Sequence, residues 1–355
     1  MSTKTQPGNY FEDFQLAQEI IHATPRTVTE GDIALYTALF GGRFALNSSA
    51  EFARTLGLPQ APIDSLLAFH LVFGKTVPDI SLNAVANLGY AGGRFGQPVY
   101  PGDTLSTTSK VIGLKQNRDG KTGVVYVRSI GRNQRQEVVL DYMRWVMVRK
   151  NNLDAPAPEA TLPELPDAVA VDDLVMPYQL STASYDTALA GSTHAWEDYA
   201  VGEQIDHIDG MTIEEAEHML ATRLYQNTAR VHFNQHTEQE GRFGRRIIYG
   251  GHIISLARSL SFNGLANALS IAAINGGRHT NPTFAGDTVY AWSEIIDTYT
   301  IAGRADLGAL RVRTVATKNR ACNDFPYKDS EGKYDSAVVL DFDYTVLMPR
   351  KAAMR

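Results

Sequence analysis

The sequence predicts an α+β protein of two tandem units, each an antiparallel sheet wrapped round one long helix. Three observations carry this. The chain repeats its own landmarks at a spacing of about 185 residues, and each copy places a long apolar helix ahead of several strands. The length of 355 residues also suits two such units.

Taken in order, Phe11-Glu12-Asp13-Phe14 returns as Trp196-Glu197-Asp198-Tyr199, and Ile20-Ile21-His22 returns as Ile205-Asp206-His207. Thr27-Val28 and Thr212-Ile213 keep the spacing of 185 and lead into amphipathic helices, residues 33–40 and 218–225, after acidic caps at 29–32 and 212–215. A looser segment follows, then a longer apolar helix, 63–77 in the first unit and 251–265 in the second. Gly92-Gly93-Arg94, Pro98 and Gly102-Asp103-Thr104 recur as Gly276-Gly277-Arg278, Pro282 and Gly286-Asp287-Thr288, now at 184. Strands are expected at 104–113, 123–131 and 138–149, where β-branched and aromatic residues alternate with polar ones. Val127-Arg128 matches Val312-Arg313 at 185, whereas Val138-Val139-Leu140-Asp141-Tyr142 matches Val338-Val339-Leu340-Asp341-Phe342 at 200. The difference places an insertion of about 15 residues around 322–335. These landmarks set the boundaries: a first unit over 1–150, a Pro- and acid-rich connector over 151–190, and a second unit over 191–355.

A net charge of −6 without a basic tract excludes a nucleic-acid partner, and no apolar run approaches the ~20 residues of a membrane span. Cys322 is the single cysteine, so no internal disulfide can form, and residues 1–10 are polar with no secretory leader pattern. A cytoplasmic protein is expected.

The chemistry gathers in the second unit. Residues 225–234 read YQNTARVHFN, and 248–255 read IYGGHIIS. His232 can take and return a proton near neutral pH. The Gly250-Gly251 pair opens an apolar helix whose free backbone N–H groups can stabilise an oxyanion. At the equivalent places the first unit has Asn47 for His232, Gly42 for Asn227 and Ser65-Leu66 for Gly250-Gly251, so only the second carries the imidazole.

This stretch resembles the signature of the MaoC-like (R)-specific enoyl-CoA hydratases, a hot-dog-fold family. In that signature an Asp, then Asn-Pro and an apolar residue, lead to a His, and a His-Gly-Met turn follows. His232 falls on the signature His and Gly251 on the turn glycine, while Asn227 stands where the family has Asp. The resemblance implies a double hot dog covering nearly the whole chain, with a catalytic second half and a degenerate first half that shapes the acyl pocket. It implies His232 as the catalytic base and Gly251 as the N–H donor to the thioester carbonyl, with Gly250 beside it. An amide cannot serve as a base, so Asn227 either orients water, fixes the His232 tautomer or shapes a turn. His252 either lines the acyl pocket or is only a polar residue at a helix start.

Within the family, the two-unit length, the Asn-x4-His pairing and the Tyr-Gly-Gly-His turn resemble the group that hydrates mesaconyl-CoA (2-methylfumaryl-CoA). Such a substrate carries a distal carboxylate and demands a cation. Arg230, Arg245, Arg246 and Arg258 are the candidates nearest the motif. An acyl-CoA substrate, no cofactor beyond it, no metal and a homo-oligomer of two or more chains are expected. A hot-dog thioesterase and a non-catalytic acyl-CoA-binding protein are the alternatives.

Two other patterns carry no site. His232 and His236 have zinc-protease spacing, but the position of the general-base Glu is Phe233. Gly92-Gly93-Arg94 lacks the context of a phosphate loop and, being repeated, reads as a bend between helix and strand.

Overall fold

The computed structural model describes residues 4–354; Met1–Thr3 and Arg355, the outermost residues of the two expected units, lie outside it. Among the described residues ten strands form one sheet. The first unit contributes β1 (Glu19–Thr27), β2 (Ala84–Phe95), β3 (Thr104–Gln116), β4 (Thr122–Arg132) and β5 (Val138–Arg149). The second contributes β6 (Gln204–Thr212), β7 (Ile271–His279), β8 (Thr288–Ile301), β9 (Arg304–Lys318) and β10 (Val338–Pro349). Their order, β1-β3-β4-β5-β2-β7-β10-β9-β8-β6, reads the same from either end once the units are exchanged. All pairings are antiparallel.

The duplication extends to individual hydrogen bonds. Thr29 and Asp32 cap α1 (Glu30–Phe40) reciprocally, each side chain meeting the other's backbone N–H. His22 Nε2 meets Ser109 Oγ at 2.7 Å and His207 Nε2 meets Ser293 Oγ at 2.8 Å. Two separately repeated fragments prove to be partners: Arg128 pairs with Asp141 at 2.5 Å, and Arg313 with Asp341 at 3.3 Å. The insertion folds back onto the second half-sheet, where Tyr327 and Tyr334 both donate to Asp341 of β10 at 2.7 Å.

Each half-sheet wraps a central helix, α2 (Ser65–Thr76) in the first unit and α5 (Gly250–Leu260) in the second. Between them in sequence lie α3 (Glu215–Leu224) and the single turn α4 (Arg230–Phe233). From Leu66 to Thr76 every residue of α2 is buried, and each large apolar side chain there contributes roughly 1.5–3 kcal/mol. The second helix ends at Leu260, short of the expected 265, because Asn263 and Gly264 leave helical geometry and kink the chain. The two central helices meet at equivalent positions, His70 Nε2 and Ser255 Oγ, 2.8 Å apart and 185 residues apart in sequence.

The Gly-Gly-Arg repeats do not lie between helix and strand. Both lie inside strands, β2 and β7, and pair along the seam that joins the units, with Ala91 opposite Gly276 and Tyr90 opposite Gly277. The register slips on β2 across Gly92-Gly93 against β5, and on β7 beside Gly276 against β10, so the repeats mark bulges in the sheet. The connector is docked rather than free: Thr161 pairs with Leu114, and Leu174, Leu180 and Tyr185 join a core cluster with Phe52 and Leu269.

Candidate active site

The loop after α3 is held by the first unit. A Cβ on Gly74 would sit 1.9 Å from the Tyr225 carbonyl oxygen, so only glycine lets that loop lie on α2. Beside it, Lys75 donates to Gln226 Oε1 and Arg26 to the Leu224 carbonyl. The loop then places Asn227 and His232.

Half-buried His232 sits in α4, and its Nδ1–H donates to the Ile247 carbonyl at 3.0 Å. That bond selects the tautomer and leaves Nε2 with its lone pair. Burial pushes its pKa down to about 4, against the opposing pull of the Ile247 carbonyl, so the ring is neutral at neutral pH. Asn227 is buried, and its Oδ1 accepts from the Ala229 N–H at 3.0 Å, a local turn. The ring of His232 is therefore oriented by Ile247 and not by the Asn227 amide.

Gly250 and Gly251 begin α5. Its N-cap, Tyr249, offers no side-chain acceptor; the His252 N–H donates to the Tyr249 carbonyl at 2.8 Å, and the Gly250 and Gly251 N–H groups stay open. A Cβ on Gly250 would lie 2.4 Å from the His279 ring, and one on Gly251 2.4 Å from Tyr249 and 2.5 Å from His70. Glycine is required because imidazole and phenol rings press directly on this backbone. In the first unit the equivalent amide is occupied: the Asp64 carboxylate accepts from the Leu66 N–H at 2.7 Å.

Four more histidines crowd round His232 and the helix start. Tyr249 donates its backbone N–H to His218 Nε2 at 2.9 Å. The rings of His232 and His218 lie 6.0 Å apart, and those of His218 and His252 5.7 Å apart. His252 packs 4.8 Å from Phe40, on the side facing the first unit's α1. Burial lowers the pKa of His70 and His252 to about 3, of His218 to about 2 and of His279 to about 4. His279 Nε2 is buried without a hydrogen-bond partner.

The structure thus brings His232, Gly250 and Gly251 together, with His252 one layer behind. The four arginines are dispersed. Arg230 is exposed, Arg245 stacks 3.9 Å over Phe284, and Arg246 pairs with Glu215 at 3.0 Å. Arg258 is buried, donates to the Ala268 carbonyl at 2.9 Å and lies 3.6 Å over Phe44. Among the described residues no group of three or more His, Cys, Asp or Glu side chains is placed to hold a metal ion.

Comparison with known proteins gives the family. The family model of mesaconyl-CoA hydratase matches residues 2–326. The chain belongs to the mesaconyl-CoA hydratase family. It is 76% identical to the β-methylmalyl-CoA dehydratase of Chloroflexus aurantiacus, over 99% of this chain and all of that one. A solved MaoC-domain dehydratase from the same organism superposes with a TM-score of 0.97 at 76% identity, covering 99% of this chain and 100% of that structure. A double-hot-dog protein of Mycobacterium tuberculosis shares the fold, with a TM-score of 0.74 at 23% identity over 96% of this chain and 98% of its own.

Sequence reasoning missed His70, His218 and His279 as neighbours of His232 and the helix start. The signal was asymmetry between the units, since His279 stands where the first unit has Phe95 and His218 where it has Ile33.

Proposed function

We propose that the chain is a hydro-lyase that interconverts mesaconyl-CoA and water with β-methylmalyl-CoA, using His232 as its base. The observation that carries the chemistry is a neutral imidazole with a free Nε2 beside a helix start whose N–H groups no side chain caps. His232 Nε2 takes a proton from water, and the hydroxide oxygen bonds to the carbon β to the thioester. The displaced π electrons move to the thioester oxygen, to which the Gly251 N–H donates. The α-carbon then takes the proton back from the imidazolium, so one water is added and nothing is oxidised or reduced. The reaction consumes no redox cofactor. His279, with its unpartnered Nε2 against Gly250, is placed to hold the attacking water; Asn227 shapes the loop that presents His232. No helix of the described residues is long and apolar enough to cross a membrane, and we place the enzyme in the cytoplasm as a homo-oligomer.

The test is to incubate the purified protein with mesaconyl-CoA and, separately, with crotonyl-CoA, following enoyl-thioester absorbance and product mass. A gain of one water on mesaconyl-CoA is expected. Hydration of crotonyl-CoA alone would overturn the substrate, and release of free CoA would make the protein a thioesterase.

A further inference from the structure

Arg144, on β5 of the first unit, is fully buried. Its Nη2 donates to Thr76 Oγ1 at 2.7 Å and, at 3.4 Å, to Ser81 Oγ, while Nε and Nη1 have no partner. Its guanidinium lies 4.3 Å over Phe73, and the neutral phenols of Tyr90, Tyr142 and Tyr249 face it. No carboxylate of the described residues pairs with it. A buried cation with open donors and no counter-ion is costly to keep, so a fold that retains one has a use for it.

Its neighbours are the walls of the site. Phe73 lies 5.7 Å from Tyr249, which lies 5.5 Å from His232, and Tyr90 lies 6.1 Å from His279. The second unit supplies the informative contrast. There the cation sits on the central helix, as Arg258 at the place of Phe73, and the ring sits on the strand, as Tyr344 at the place of Arg144. Arg258 has its donors filled, and the Asp64 carboxylate of the first unit faces it. The residue equivalent to Asp64 is Tyr249, which brings no charge. The degenerate site thus contains its own carboxylate, and the live site has an arginine waiting for one.

We infer that Arg144, supplied by the degenerate unit, receives the distal carboxylate of the dicarboxylyl thioester and so sets the preference for that substrate class. This rests on the hydration reading above. The test uses two unreactive saturated thioesters, succinyl-CoA and butyryl-CoA, as competitive inhibitors of mesaconyl-CoA hydration. In Arg144→Met the inhibition constant of succinyl-CoA should rise about 100-fold and that of butyryl-CoA stay within about twofold. Arg144→Lys keeps the charge but loses the fork, and should raise the succinyl-CoA constant about tenfold; it serves if the methionine variant does not fold. Equal weakening of both thioesters, or of neither, would overturn the inference while the hydration reading stands. A wild-type protein that does not hydrate mesaconyl-CoA would instead remove the reading itself.

Discussion

Asn47 and His232 occupy the same place in the two units and make the same bond. The Asn47 amide donates to the Pro62 carbonyl at 3.1 Å, the His232 ring to the Ile247 carbonyl at 3.0 Å, and donors and acceptors alike are 185 residues apart. That hydrogen bond therefore belongs to the fold. What separates the units is the second ring nitrogen, which an amide lacks, together with the helix start beside it. Asp64 fills the Leu66 amide in one unit, and nothing caps the Gly251 amide in the other. One scaffold is closed by its own side chains, and the other is left open for a ligand.

The strongest way to break this contrast is to make the second unit a copy of the first. His232→Asn should keep the bond to Ile247, leaving the melting temperature little changed, and should lower the hydration rate by about 10²–10⁴-fold. Near-normal turnover in that variant would remove His232 from the mechanism. Next in size is Gly251→Ala, whose Cβ would collide with Tyr249 and His70. We expect kcat to fall roughly 10²-fold and stability by about 1–3 kcal/mol. The control is Leu66→Ala at the equivalent position, which should cost stability with the smaller loss of kcat; the reverse ranking would show that the open helix start is not used.

The smallest effect concerns acid. His218 and His252 stand where the first unit has Ile33 and Leu67, and with His70 they are buried and neutral. Their folded pKa values, about 2 to about 3, lie below the unfolded value. Below pH ~6.5 the unfolded chain thus takes up protons that the folded one refuses, and stability falls as pH drops. Each should cost on the order of 1 kcal/mol between pH 6.5 and 5.5. Urea unfolding at both values measures this, and His218→Ile with His252→Leu should flatten the slope. A stability that rises on acidification would contradict the burial of these rings.

The fold was legible because its repeated landmarks are locally determined. Thr29 and Asp32 cap a helix wherever they stand, and strand alternation survives whatever the sheet packs against. The Gly-Gly-Arg repeats were misread because a bulge at a seam between two units looks, in one dimension, like a turn. That His232 and the Gly250-Gly251 helix start lie together was legible because the two short stretches that carry them are near in sequence. His70, His279 and Arg144 were not legible, since each lies in a stretch that reads as ordinary helix or strand. His70 meets Tyr249 179 residues away, and Arg144 neighbours the site only through Phe73 and Tyr249. Comparing the halves position by position would have exposed His279 against Phe95.

The β2–β7 seam joins two unequal copies into one sheet, and that has an evolutionary consequence. A dimer built from one gene wears every substitution twice, so an aspartate that plugged one catalytic centre would plug both. Fusion breaks that symmetry. One centre can be given up, and its residues become free to serve as furniture for the other.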